Sequence, residues 1–174
     1  MKVNFYDFLD TLKNTSLDHD NNEYMCQSLK EVINFEDFVE EYYTFYGLKG
    51  KCDAPADALY INKDSIYYLI EFKNGVINSK TKRNIKDKMK SSILSLIGNI
   101  DGSMPFVRER VIFILVYNEK KNEDPLFDLK SNLAKKAGAP IYRFDLKKYK
   151  GIFFENVFTY NENEFNTFVS KIIT

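Results

Sequence analysis

The sequence has 174 residues, of which 44% are hydrophobic. That is enough to bury one core but short for two, so a single domain spanning residues 1–174 is expected. Its 25 Lys and Arg balance 25 Asp and Glu, so any nucleic-acid binding must rest on local segregation of charge. Two cysteines are too few for a disulfide framework or a four-cysteine metal site, and one histidine argues against histidine-centred catalysis. No apolar run approaches the length of a membrane span and the chain starts without a signal-peptide core, so we expect a cytoplasmic protein with no membrane partner.

The first part of the chain is predicted to be a helical extension, residues 1–30, on a core at residues 31–144. Residues 4–13 predict a helix whose inward face is Phe5, Phe8, Leu9 and Leu12. After a polar link, residues 24–33 predict a second helical segment. It either continues into the next helix or ends near Asn34.

The next predicted helix is amphipathic and acidic. Its apolar residues recur at helical spacing and end just before Gly47: Phe35, Phe38, Val39, Tyr42, Tyr43 and Tyr46. The remaining faces carry Glu36, Asp37, Glu40 and Glu41. For any one of these acids, the simplest interpretation is a solvated surface position.

A β-hairpin is predicted from two apolar runs, Ala56–Ile61 and Ile66–Gly75, which carry charge only at their outer ends. Because side chains alternate along a strand, Glu71 and Lys73 lie on one face. Whether Asp57 shares that face depends on the length of the connection.

Two registers are open for this hairpin. A three-residue connection pairs Ile61 with Tyr67 and sets Asp57 opposite Glu71, whereas a two-residue connection sets Asp57 opposite Ile70, on the other face. In the first register two carboxylates repel each other across the hairpin, and a divalent cation would remove the repulsion. Two carboxylates and a lysine suit Mg²⁺, which binds oxygen ligands and substrate phosphate, so the pattern indicates phosphodiester hydrolysis. The alternative is an ordinary polar strand end.

An Asp at a strand start followed by Glu-x-Lys closing the next strand resembles the signature of the PD-(D/E)XK nucleases, the restriction-endonuclease-like superfamily. The usual Pro-Asp is here Pro55-Ala56-Asp57. The resemblance implies an α/β fold with three α/β/α layers, a central mixed sheet, and additional N- and C-terminal helices. It also implies Asp57 and Glu71 as ligands of Mg²⁺ or Mn²⁺, with Lys73 as the catalytic lysine. The iron–sulfur exonucleases of the superfamily are excluded by the cysteine count.

Around residues 36–73 the pattern is closest to the archaeal Holliday-junction resolvase branch of this superfamily. That resemblance makes Glu36 a further metal ligand and catalytic residue, with Glu40 as second choice. By the habit of the family, DNA rather than RNA is the expected nucleic-acid partner, and two copies are expected to act as a homodimer.

A long basic helix is predicted at residues 79–99, with an apolar stripe that packs on the sheet: Ile85, Met89, Ile93, Leu96, Ile97 and Ile100. Helical projection gathers Arg83, Lys86 and Lys90 at one border of that stripe. They are candidate nucleic-acid-binding residues that would contact phosphates, and the alternative is a solvated cationic face.

The C-terminal half continues the α/β pattern. Residues 102–108 predict a loop, and 110–117 a central buried strand. Residues 125–136 predict a helix, 140–144 a short strand and 151–160 an extended stretch. Asn161 with Glu164 predicts a capping box for a final helix.

Three functional hypotheses remain open. The first is a metal-dependent nuclease. The second is a nuclease-fold protein without catalysis that binds nucleic acid or protein. The third is an accessory or immunity protein of a defence system that acts through protein interaction. The hairpin register discriminates the first hypothesis from the other two.

Overall fold

The computed structural model describes residues 2–125, 127 and 142–173. Its strands are β1 (Leu9–Thr11), β2 (Leu17–Asp18), β3 (Glu23–Tyr24), β4 (Glu31–Asn34), β5 (Ala58–Ile61), β6 (Tyr67–Lys73), β7 (Val111–Tyr117) and β8 (Asn156–Asn161). Its α-helices are α1 (Leu12–Thr15), α2 (Phe35–Phe45), α3 (Ser79–Ile100), α4 (Met104–Arg110) and α5 (Glu162–Ile172).

Six of the strands form one mixed sheet in the order β1-β4-β5-β6-β7-β8, while β2 and β3 form a separate hairpin. The pairs from β1 to β6 are antiparallel and those from β6 to β8 are parallel. The predicted α/β class and central mixed sheet are therefore confirmed. None of the helices in the described part of the chain is both long and apolar enough to cross a bilayer.

The sheet separates two apolar clusters. Helices α2, α3 and α4 cover one face, where Phe38, Ile85 and Val107 are buried. Helices α1 and α5 cover the other face, where Leu12 and Phe165 are buried. All seven residues of β7 are buried, because this strand has packed helices on both faces, as its continuous apolar sequence predicts.

The β5–β6 hairpin has the register of the three-residue connection. Ile61 pairs with Tyr67 and Leu59 with Leu69, and the turn contains Ser65 at φ 57°. Ladder pairing ends between Ala58 and Ile70, one residue before Asp57. Leu59 and Leu69 lie in the cluster beneath α2 and α3, so residues two positions further out face the same helices.

Helix α3 forms as predicted, with one added residue at its C-terminal end. Asn78 caps its first turn by accepting from Lys80 N and Thr81 N. Asp101 ends it in the left-handed region, with its N–H bonded to the Ile97 carbonyl. The apolar stripe packs on the sheet.

The two helices predicted before residue 34 are wrong. Residues 5–8 form a 3-10 turn and are followed by β1, and residues 31–34 form β4, which pairs with β1. Val32 and Ile33 are both buried, but in the clusters on opposite faces of the sheet. Long-range pairing therefore overrides the local helical spacing. The segment before Asn34 does not continue into the next helix. Helix α2 begins after Asn34, whose side chain caps it by accepting from Asp37 N.

Three predictions in the C-terminal half need correction. The loop predicted at 102–108 is largely α4, which begins after Ser103 with a proline in its first turn. The extended stretch predicted at 151–160 is a turn followed by β8. Residues 142–144 of the predicted strand 140–144 are not a strand, and residues 140–141 lie outside the described residues. The helix predicted at 125–136 also lies outside them, apart from residues 125 and 127. The final helix is confirmed with its complete capping box.

Candidate functional site

Three carboxylates and two ammonium groups converge where the β5–β6 hairpin ends beneath α2 and α3. Lys88 Nζ lies 2.8 Å from Asp57 Oδ1, 3.0 Å from Glu71 Oε2 and 3.4 Å from Glu36 Oε1. Lys73 Nζ lies 2.6 Å from Glu71 Oε1. We call Glu36, Asp57, Glu71, Lys73 and Lys88 the charged cluster. It brings together all four residues predicted as catalytic, and adds Lys88.

Backbone contacts fix the two acids that lie outside β6. Asp57 Oδ2 accepts from Phe72 N at 2.6 Å, so this carboxylate is held against the end of β6 while its Oδ1 remains for a cation. The Asp57 carbonyl accepts from Phe35 N at 3.1 Å, which joins the start of α2 to the hairpin. Glu36 follows in the first turn of α2 and is thereby brought to the same place.

Two buried serines of α3 hold the segment that leads into β5. Ser92 Oγ accepts from Ala56 N at 2.8 Å and donates to the Lys88 carbonyl at 2.6 Å. Ser91 Oγ donates to the Ala54 carbonyl at 2.6 Å. These hydrogen bonds set the position of α3, and hence of Lys88, relative to the hairpin.

Glu71 is a carboxylate in a fully enclosed position, with a side chain that is 0% exposed. Its two oxygens contact ammonium groups at 2.6 and 3.0 Å, yet neither contact has hydrogen-bond geometry. The pKa of Glu71 is raised to about 7. Burial is the main cause and the charge of Asp57 is the second, while the charges of Lys88 and Lys73 act in the opposite direction. The fold therefore keeps a carboxylate where ionisation is costly.

Lys88 is held as a cation by its neighbours. Burial acts to lower its pKa, but the carboxylates of Glu71, Asp57 and Glu36 act in the other direction, and the pKa of Lys88 lies well above its ordinary value. The pKa of Glu36 is also raised, first by desolvation and then by the charge of Asp57. Lys88 is thus a permanent positive charge at the point where the three acids meet.

A polar cleft of roughly 580 Å³ opens beside the cluster. Glu36, Asp57 and Lys73 line it, and another wall is formed by β2 and the turn after it, which contains the single histidine, His19. Asn74 ties this wall to the end of β6, since its Nδ2 donates to Asp18 Oδ2 and Glu23 Oε2, both at 2.8 Å. The cleft gives a substrate access to the charged cluster.

The predicted nucleic-acid-binding residues Arg83, Lys86 and Lys90 lie elsewhere on α3. Lys86 and Lys90 line an apolar groove together with Met89, Ile93, Tyr149 and Phe153. Lys90 Nζ also pairs with Asp87 at 2.8 Å. None of the three lines the cleft beside the cluster. Their role as phosphate contacts stays a prediction.

Lys88 is the residue that sequence reasoning missed. At 100° per residue, it projects about 160° around α3 from both Lys86 and Lys90, at the opposite border of the apolar stripe. A signal was present in the sequence, because Ser91, Ser92 and Ser95 continue that border and are buried. Small polar residues at buried helix positions indicate a polar contact with the rest of the fold.

The donor set of the cluster suits a hard divalent cation, because every acidic ligand offers oxygen. The described residues contain no ready-made group of three or more acids, histidines or cysteines arranged around a metal. Instead, the three acids surround Lys88 Nζ at 2.8–3.4 Å. Mg²⁺ binds oxygen at about 2.0–2.1 Å, so the acids would have to draw closer around it. The acids have the donor chemistry for such an ion, while in the observed arrangement Lys88 Nζ occupies the point where they meet.

Comparison with protein-family models, curated proteins and solved structures gave no match for this chain. The assignment of function therefore rests on the chemistry of the cluster and on the cleft that opens to it.

Proposed function

We propose that this protein is a metal-dependent nuclease of the PD-(D/E)XK type, which hydrolyses phosphodiester bonds in DNA. One observation carries the proposal: Asp57, one residue before β5, meets Glu71 and Lys73 of β6 in a single cluster. Glu36 joins them from α2. A mixed sheet with helices on both faces supports a restriction-endonuclease-like arrangement.

The acids of the cluster would hold the metal. Glu71 supplies buried carboxylate oxygens, Asp57 partly buried ones and Glu36 more exposed ones. Bound Mg²⁺ or Mn²⁺ would activate a water molecule and neutralise charge on the phosphoryl group. The backbone N–H of Phe72 orients Asp57 before any ion binds, which lowers the cost of assembling the site.

Lys73 is the residue placed to act on the substrate side. Its side chain is 25% exposed and lines the cleft, while its Nζ contacts Glu71 Oε1. From that position the ammonium group orients the attacking water and stabilises the charge that grows on the phosphate oxygens. The cleft admits the scissile phosphate to the same point.

A cleavage assay tests the proposal. Purified protein is incubated with single- and double-stranded DNA and RNA, with Mg²⁺, with Mn²⁺ or with a chelator. We expect metal-dependent cleavage of DNA that Asp57→Asn abolishes. Asp64→Asn, in the exposed turn of the same hairpin, is the matched control and should cleave normally. Absence of cleavage on every substrate, together with no heat of Mn²⁺ binding, would reject the nuclease.

Lys88 supports a second candidate, a nuclease-fold module that binds nucleic acid without cutting it. Its ammonium already relieves the repulsion between the carboxylates, which a metal would otherwise do. In that case nucleic-acid binding is insensitive to a chelator and no cleavage occurs. The same assay, with binding measured in parallel, separates the two candidates.

A further inference from the structure

The position of Lys88 has a consequence for metal binding. Its ammonium is the only cation that contacts all three acids of the cluster among the described residues. Its side chain is 15% exposed, as is that of Asp57, and Glu71 is fully enclosed. An ion that binds between these acids therefore has to take the place that Lys88 Nζ holds.

We infer that Lys88 is a resident counter-ion that competes with the metal: it holds the three carboxylates together in the metal-free protein and leaves their common point when a divalent cation binds. This inference rests on the proposed function, because it concerns the same metal site. It assigns Lys88 a regulatory role that differs from the substrate-side role of Lys73.

The two cations cannot share the point where the acids meet. Ligand distances of 2.8–3.4 Å suit an ammonium group, whereas Mg²⁺ requires about 2.0–2.1 Å to each oxygen. An ammonium left in place would block the approach of the oxygens and would repel the divalent charge in a poorly solvated site. Metal binding therefore includes the free energy of removing Lys88.

The displacement is confined to the side chain. The Lys88 carbonyl accepts from Ser92 Oγ at 2.6 Å and from Ser91 Oγ at 3.1 Å, and both serines also bond the segment before β5. The helix backbone is thus fixed to the hairpin on this side. Four rotatable bonds in the lysine side chain allow its ammonium to move while α3 stays in place.

A purely structural ion pair makes a different prediction. If Lys88 only stabilises the fold, its removal weakens the assembly of the acids and lowers the affinity for metal. If it competes with the metal, its removal raises that affinity. The sign of the change therefore separates the two roles.

The test is calorimetric titration of Mn²⁺ into the wild type, Lys88→Met and Lys80→Met. Methionine keeps the length of the apolar stem without the charge, and Lys80 is an exposed lysine of the same helix. We expect Lys88→Met to bind Mn²⁺ about tenfold more tightly than the wild type, on the scale at which neighbouring groups tune metal sites. The Mn²⁺ affinity of Lys80→Met should match that of the wild type.

A second measurement uses the wild type alone, so the test does not depend on the folding of Lys88→Met. Ammonium groups held in buried ion pairs exchange slowly with solvent, and the Lys88 ¹⁵N-ammonium resonance should be visible without metal. Saturation with diamagnetic Mg²⁺ should abolish this slow exchange. An unchanged Lys88 signal in protein that has bound Mg²⁺ overturns the inference.

The outcomes separate the inference from the proposed function. Unchanged or weaker Mn²⁺ affinity in Lys88→Met, with metal-dependent cleavage by the wild type, rejects competition and leaves the nuclease standing. Tighter binding by Lys88→Met without cleavage by the wild type supports competition and rejects the nuclease. Failure of both proteins to bind metal rejects both.

Discussion

Replacing Glu71 by glutamine should stabilise the metal-free protein at neutral and alkaline pH. The glutamine side chain is nearly isosteric with the protonated acid and carries no charge. Glu71 is fully enclosed, so no solvent screening reduces the cost of its ionisation. The difference between its ordinary pKa of 4.5 and about 7 corresponds to roughly 3 kcal/mol, at about 1.36 kcal/mol for each pKa unit.

The sign of the pH dependence follows from the raised pKa. Below pH 4.5 Glu71 is protonated in the folded and the unfolded chain, and its neutral form costs the fold nothing extra. Between pH 4.5 and about 7 the unfolded chain releases this proton while the folded chain retains it, so wild-type stability falls as the pH rises. Above that window the whole of the loss, roughly 3 kcal/mol, is present.

Urea unfolding of both proteins from pH 4 to pH 8, in the presence of a chelator, measures the effect. The free energy of unfolding of Glu71→Gln should equal that of the wild type near pH 4 and exceed it by roughly 3 kcal/mol at pH 8. For a chain of this size, that gain corresponds to a Tm rise of roughly 6–12 °C. The control is Glu40→Gln, an exposed acid of α2 outside the cluster, which should not show this pH-dependent gain. A Glu71→Gln protein that is less stable than the wild type at pH 8 would refute the reasoning. It would mean that the ion pairs with Lys73 and Lys88 outweigh desolvation.

Three further predictions test the site and its framework. Lys73→Met should lower the turnover of DNA by about 10²–10⁴-fold with little change in Mn²⁺ affinity, measured by cleavage kinetics and calorimetry; equal losses in both would assign this lysine to metal binding instead. Ser92→Ala should cost about 1–3 kcal/mol in urea unfolding, because the buried Ala56 N–H loses its acceptor, and an unchanged midpoint would contradict that role. Asn161→Ala should cost about 1 kcal/mol by removing the capping box of α5, whereas Asn163→Ala, at an exposed position in the first turn of the same helix, should cost less.

The parts of the fold that could be predicted from the sequence are those in which burial alone fixes the pattern. The β5–β6 hairpin follows from its two apolar runs, but the sequence leaves two registers open, because both faces are apolar and a shift of one position keeps them so. Strand β7 is buried throughout and has an unbroken apolar run to match. The long apolar stripe of α3 likewise predicts both the helix and the face that packs on the sheet.

The N-terminal strands could not be predicted, because they depend on partners that local spacing does not reveal. Strand β1 has three residues, and each pairs with a residue of β4 at least 20 positions later in the chain. The failure to predict Lys88 as a residue of the site has a different cause. Helical projection finds both borders of the α3 stripe, but it does not say which border faces the hairpin, and the more strongly basic border with Lys86 and Lys90 faces an apolar groove instead.

Glu71 departs from the rule that a buried charge is hydrogen-bonded as well as paired, and its ion pairs with Lys73 and Lys88 account for how the chain folds in spite of this. Asp57 and Glu71 at the end of one hairpin repel each other, and Glu71 has no directed hydrogen bond at either oxygen. A fold selected for stability alone would place apolar side chains there, which are often as stable as a buried ion pair or more so. Retaining three acids around a removable ammonium is instead expected of a site that exchanges one cation for another. The affinity of Lys88→Met for Mn²⁺ and the stability of Glu71→Gln are therefore linked tests, because each measures the cost of keeping these carboxylates charged and close together.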